Sequence, residues 1–146
     1  MQFIDLKAQQ DRIKSKVDKR IQDVLSHGKY IMGPEVFELE DKLADYVGVK
    51  HCISCASGTD ALLMPLLAKN IGPGDAVLTT PFTYIATLES IAAVGATPVL
   101  VDVYDSTFNI NSNLIEKAIN ESDKKVKAIM PVDLFGLPAR YRVINN

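Results

Sequence analysis

Cys52-Ile-Ser-Cys-Ala-Ser-Gly-Thr-Asp60 and Ala76-Val-Leu-Thr-Thr-Pro-Phe-Thr-Tyr84 share one plan: a short apolar run, a turn of small and hydroxyl residues, then a helical pattern. Cys52–Ala56 and Ala76–Thr79 read as buried strands. Gly58 to about Lys69 and Tyr84–Val94 read as helices, the second carrying Ile85, Leu88 and Ile91 and stopped by Gly95. Further along, Thr97–Val103 and Val126–Val132 read as a third and a fourth strand. Between them Asn111 is placed to cap a helix bearing Leu114, Ile115, Ala118 and Ile119, and Tyr141–Asn146 begins another of roughly two turns. Strands that alternate with helices imply right-handed βαβ units and a mostly parallel sheet covered on both faces. Ligands of such sheets bind beyond the carboxyl ends of the strands. That singles out Ala56–Asp60, Thr80–Tyr84, Asp102–Phe108 and Asp133–Gly136.

Two helices precede this pattern. Ile13, Val17, Ile21, Val24 and Leu25 recur at helical spacing over Leu6–Ser26, and Gly28 supplies a left-handed cap. Gly33-Pro34 opens the next helix, with Val36, Leu39, Leu43 and Val47 as its apolar stripe and Gly48 at its end. The reading is one α/β domain over residues 1–146, with leading helices in 1–50 and βαβ units in 51–146. Its 146 residues are 47% hydrophobic and 23% charged, which suits a packed core and excludes a disordered chain. Sixteen basic and 18 acidic residues leave no footprint for nucleic acid or an anionic membrane. No apolar run approaches the roughly 20 residues of a membrane-spanning helix, and the N-terminus lacks a signal-peptide core. A cytoplasmic location is the expectation.

The loop Ala56–Asp60 joins a strand to a helix. Free amides at a helix N-terminus bind phosphate; Gly58 lets the backbone approach an anion, and Ser57 and Thr59 add hydroxyls. The same residues equally make an ordinary cap. Phe82 and Tyr84 either wall a flat ring or pack on the following helix. Cys52 and Cys55 lie three apart in an expected strand, so their sulfurs point to opposite faces. They read as buried small residues rather than a disulfide or zinc pair. No metal site and no activated nucleophile is visible.

At these residues the chain resembles the DegT/StrS-type sugar aminotransferases, pyridoxal-phosphate enzymes of the aspartate aminotransferase fold. The matching stretches are Phe3-Ile-Asp-Leu-Lys7, Gly28-Lys-Tyr-Ile-Met-Gly-Pro-Glu35, Ser57-Gly-Thr-Asp-Ala-Leu62, Gly72-Pro-Gly-Asp75, Pro81-Phe-Thr-Tyr-Ile-Ala-Thr87 and Leu134-Phe-Gly136. Each is weak alone; six in family order are not. Within the family the chain looks most like the branch that aminates UDP-linked 3-keto N-acetylglucosaminuronic acid for surface polysaccharide. The resemblance implies the N-terminal part of the large domain of the type I fold, and pyridoxal 5'-phosphate as cofactor. It implies glutamate and a UDP-sugar as substrates, and a homodimer. It also implies that Gly58 and Thr59 offer amides to the cofactor phosphate with Ser57 and Asp60 on the same turn, and that Tyr84 stacks on the pyridine ring. Tyr30, Met32 and Gly33 would line the sugar-nucleotide cleft.

The chain departs from the family in length, members being more than twice as long. The cofactor lysine and the aspartate that pairs with the pyridine nitrogen fall beyond residue 146, so no catalytic residue is assigned. Pro65 inside a helix is expected to kink it. Arg140 and Arg142 stand where acidic residues are usual and oppose the helix dipole, and Asp133 replaces a histidine or serine. These departures suggest a truncated aminotransferase. The alternative is a non-catalytic remnant that binds a phosphate ligand or a partner.

Overall fold

The computed structural model describes residues 3–145. They form two compact units, one up to Ser54 and the other from Cys55 onward. The first holds α1, Leu6–His27, and α2, Pro34–Val47. The Asp5 carboxylate accepts the Ala8 N–H at 2.9 Å to start α1, and Gly28, at φ 67°, ends it. Gly48, at φ 76°, closes α2 in the same way. Both ends fall where the sequence puts them, because a left-handed glycine cap is a local signal. Arg20 of α1 pairs with Glu38 of α2. Bonds from Lys42 first and Arg20 second hold the Glu38 carboxyl at about 2, down from 4.5.

The second unit is an α/β layer whose elements are α3 Gly58–Ala68, β1 Asp75–Thr79, α4 Ala86–Ala93, β2 Thr97–Leu100, α5 Ile115–Glu121, β3 Lys125–Ile129 and α6 Tyr141–Ile144. The sheet is three-stranded, parallel, in the order β2-β1-β3. β1 pairs with β2 from Ala76↔Thr97 to Thr79↔Leu100. Against β3 its register shifts between Ala76 and Val77, leaving Lys127 without an opposite residue. Alternation along β1 sorts the core onto two faces. Val77 joins Leu66, Ile71, Ile91 and Ala96 on one side. Leu78 joins Val101, Ile110, Ile115 and Ala139 on the other. Burial on both faces is what a parallel sheet requires.

Several expectations change. Cys52–Ala56 is not a strand: no segment among the described residues pairs with it, and a strand without a ladder leaves its backbone groups to water. The cysteines are accordingly not core residues, Cys52 being half-buried and Cys55 exposed. The sheet thus has three strands rather than four. β2 stops at Leu100 because the chain turns back on itself, Val103 bridging Ile110 in antiparallel fashion. β3 stops at Ile129, short of Val132. The helix expected from Tyr84 starts at Ala86, and α6 is one turn rather than two. α3 runs on through Pro65 to Ala68.

Candidate functional site

All three strands run one way, so their carboxyl ends share one edge of the sheet, and the loops after them meet there. α3 feeds β1 through the short turn Asn70–Gly74, which places its N-terminus toward that same edge. Thr79 and Thr80, both fully buried, anchor the first loop. The Thr79 hydroxyl donates to the Met130 carbonyl at 2.8 Å, tying the end of β1 to the end of β3. The Phe82 N–H donates to the Thr80 hydroxyl at 3.2 Å.

The N-terminus of α3 carries both of the features its sequence left open. The Ser57 hydroxyl accepts the Asp60 N–H at 3.2 Å and donates to the Asp60 carboxylate at 3.0 Å, a reciprocal cap. The Ala61 N–H reaches the Ser57 carbonyl. The Gly58 and Thr59 amides have no partner among the described residues. A Cβ built on Gly58 meets nothing within 4 Å, so the space over this turn is open. The turn therefore presents two outward N–H donors at the positive end of an eleven-residue helix. It can take the oxygens of a phosphate.

Thr80–Tyr84 splits its two aromatics. Tyr84 is 79% exposed, so its ring does not pack on α4. Phe82 instead meets Phe108 at 5.4 Å and Phe135 at 6.4 Å, with Phe108 and Phe135 edge to face at 6.1 Å. These three rings come from the loops after β1, β2 and β3. Phe108 and Phe135 hold left-handed backbones at φ 59° and 55°, a costly conformation for aromatic residues. Asn109 secures both loops. Only 4% exposed, it donates to the Leu137 and Pro138 carbonyls at 2.9 and 3.2 Å and accepts the Leu134 N–H at 3.3 Å. The sequence singled out the loops that hold all three rings, Thr80–Tyr84, Asp102–Phe108 and Asp133–Gly136, but not that the rings meet, and nothing in the local pattern marked Asn109.

Two of the family departures have work to do here. One oxygen of Asp133 accepts the Ala139 N–H and the Tyr141 hydroxyl, both at 2.9 Å. Burial first, and that carboxylate second, push the Tyr141 hydroxyl up. The Arg140 guanidinium lies 5.2 Å above the Tyr104 ring.

Tyr30, Met32 and Gly33 belong to the first unit, on the loop between α1 and α2. Tyr30 and Met32 are exposed, and Met32 has φ 47°. A Cβ on Gly33 would stand 2.3 Å from the Lys29 carbonyl oxygen, so only glycine fits. Among the described residues no cluster of His, Cys, Asp and Glu is arranged to hold a metal, and no helix is long and apolar enough to cross a membrane.

A parallel three-stranded α/β layer of this kind is the fold of the type I aminotransferases. Residues 11–146 match the DegT/DnrJ/EryC1/StrS aminotransferase family, and the chain belongs to it. It is 55% identical over 145 residues to UDP-2-acetamido-2-deoxy-3-oxo-D-glucuronate aminotransferase of Pseudomonas aeruginosa, covering 99% of this chain and 40% of that protein. A crystal structure of a DegT DnrJ EryC1 StrS aminotransferase from Brucella abortus superposes with a TM-score of 0.93 at 51% identity, over 99% of this chain and 40% of that one. The ntda protein of Bacillus subtilis, solved with its cofactor pmp bound, superposes at 0.84 with 33% identity, over 92% of this chain and 30% of that one. The chain thus spans two-fifths or less of these relatives.

Proposed function

We propose that this chain supplies the phosphate and ring contacts for pyridoxal 5'-phosphate in an aminotransferase that moves an amino group from glutamate to a UDP-linked keto sugar. The observation that carries this reading is the pair of unpartnered amides at Gly58 and Thr59 under open space, on the sheet edge that also bears the exposed ring of Tyr84. The amides would hold the phosphate, joined by the Thr59 hydroxyl. Ser57 and Asp60 lock the turn by bonding each other, so their role is to shape the cradle. The Tyr84 ring would cover one face of the pyridine. When bound, the cofactor supplies an electron sink at the carbon that gains or loses nitrogen. Tyr30, Met32 and Gly33 would contact the sugar nucleotide, and a homodimer, working in the cytoplasm, is the assembly that goes with this reading.

No residue of this chain is proposed as catalytic. Lys69 lies at the far end of α3, and Lys124, Lys125 and Lys127 lie at the start of β3, away from the loop-bearing edge. This favours noncovalent holding of the cofactor by these residues, and it is also the feature that a phosphate-ligand-binding remnant would share. Titration of pyridoxal phosphate against the chain and its Tyr84→Ala and Tyr84→Phe variants tests the ring contact. Loss of one aromatic face weakens binding about 2- to 10-fold for alanine, while phenylalanine retains it. Equal affinity for all three chains would place the ring elsewhere.

A further inference from the structure

The loop between α1 and α2 is tied from within by one side chain. The Lys29 N–H donates to His27 Nδ1 at 3.0 Å. A ring nitrogen that accepts carries no proton, so the imidazole hydrogen sits on Nε2. That nitrogen lies 3.0 Å from Glu35 Oε1, on the first turn of α2. The bond from His27 is also the largest of the effects that hold the Glu35 carboxyl below its usual range. His27 thus grips the start of the loop through one nitrogen and the helix beyond it through the other. Gly33 completes the closure, its carbonyl accepting the Val36 N–H at 3.0 Å, in a place where any Cβ would collide with the Lys29 carbonyl. Tyr30, Ile31 and Met32 project from this tied turn at 67%, 91% and 55% exposure, Met32 in a left-handed backbone. A loop held by two side-chain bonds while its apolar side chains project is organised for contact before its ligand arrives.

We propose that His27 is a positioning residue, whose two ring nitrogens fix the Gly28–Gly33 loop so that Tyr30 and Met32 are presented to the sugar nucleotide. This rests on the reading of that loop as a sugar-nucleotide contact. The two ties separate by substitution. Asparagine at 27 keeps an acceptor in the Nδ1 place, where side chains of this type bond the backbone two residues on. It falls short of Glu35. Glutamine keeps a donor in the Nε2 place and loses the Lys29 tie.

Long-range proton–nitrogen NMR on the full chain reads the His27 tautomer directly, and amide exchange reads the loop. The expected result is a proton on Nε2 with Nδ1 bare, and a protected Lys29 amide. That amide should exchange at least about tenfold faster in His27→Gln and remain protected in His27→Asn. UDP is the ligand probe. Its affinity should fall several-fold in both variants, and in Glu35→Ala, while their helical circular dichroism is unchanged. A proton on Nδ1, an unprotected Lys29 amide in the parent chain, or equal UDP affinity in all four proteins would overturn the proposal. Failure of the parent chain to bind UDP would overturn the sugar-nucleotide reading instead, and the tautomer and exchange data would still decide what His27 holds.

Discussion

Asn109 shows how much a single side chain can settle at the loop-bearing edge. Its carboxamide is buried and satisfied on both ends by the backbone after β3, at Leu134, Leu137 and Pro138. Removing it takes a buried side chain away from three partly buried backbone partners. The Asn109→Ala chain should therefore lose about 1–2 kcal/mol of stability, since a hydrogen bond of this kind contributes about 0.5–1.5 kcal/mol net. Asn109→Asp keeps the acceptor for Leu134 and should fall between. Chemical denaturation midpoints measure both, and an unchanged midpoint for the alanine variant would mean that the loop holds without this clamp. Asp133 belongs to the same scale of explanation. Read along the sequence it is a departure from a family histidine or serine. In the fold it accepts from the Ala139 N–H and the Tyr141 hydroxyl, tying the loop after β3 to the first residue of α6.

Among the elements, α1 runs for 22 residues without a buried one. Ile13, Val17, Ile21 and Leu25 are 46%, 43%, 50% and 55% exposed, one apolar stripe along a helix whose other positions carry Lys–Asp pairs. An exposed stripe of this kind drives association, and pairing of equivalent stripes fits the proposed homodimer. Sedimentation of the chain should show the average mass rising above 16.0 kDa with concentration, and the double variant Val17→Glu, Ile21→Glu should remain at the monomer mass. A parent chain that stays monomeric at every concentration would contradict this. The elements also mark where the sequence could be read. α1, α2 and α3 were legible because Gly28, Gly33, Gly48 and Ser57 lie within a few residues of the ends they set. β1, β2 and β3 were legible as runs but not in length, since Leu100 and Ile129 end their strands through contacts distant in sequence. Cys52–Ala56 has the composition of a strand and lacks a neighbour, a fact that no local pattern carries.

For the molecule as a whole, the fold class followed from alternation, and the candidate site followed only in part. Gly58, Thr59 and Tyr84 were singled out from a helix-opening turn and a strand-to-helix loop, with the choice between a cap and a phosphate site left open. Asn109 was not, and the loops of Phe108 and Phe135 were legible without their ring contacts, because Asn109's bonds and the meeting of the rings exist only once β1, β2 and β3 have been aligned side by side. On the proposed function the turn at Ser57–Asp60 is a phosphate cradle and not merely the cap that Ser57 and Asp60 make. Gly58→Val isolates the two. A Cβ at this position meets nothing within 4 Å, so the cap and fold should persist. It would nevertheless stand where phosphate oxygens must approach the amides. Phosphorus NMR of pyridoxal phosphate titrated with the parent chain should show a bound signal, absent for Gly58→Val with unchanged circular dichroism. Pyridoxal without its phosphate should bind neither. An equal phosphate signal for the parent and the variant would contradict the account and leave the turn as a cap alone.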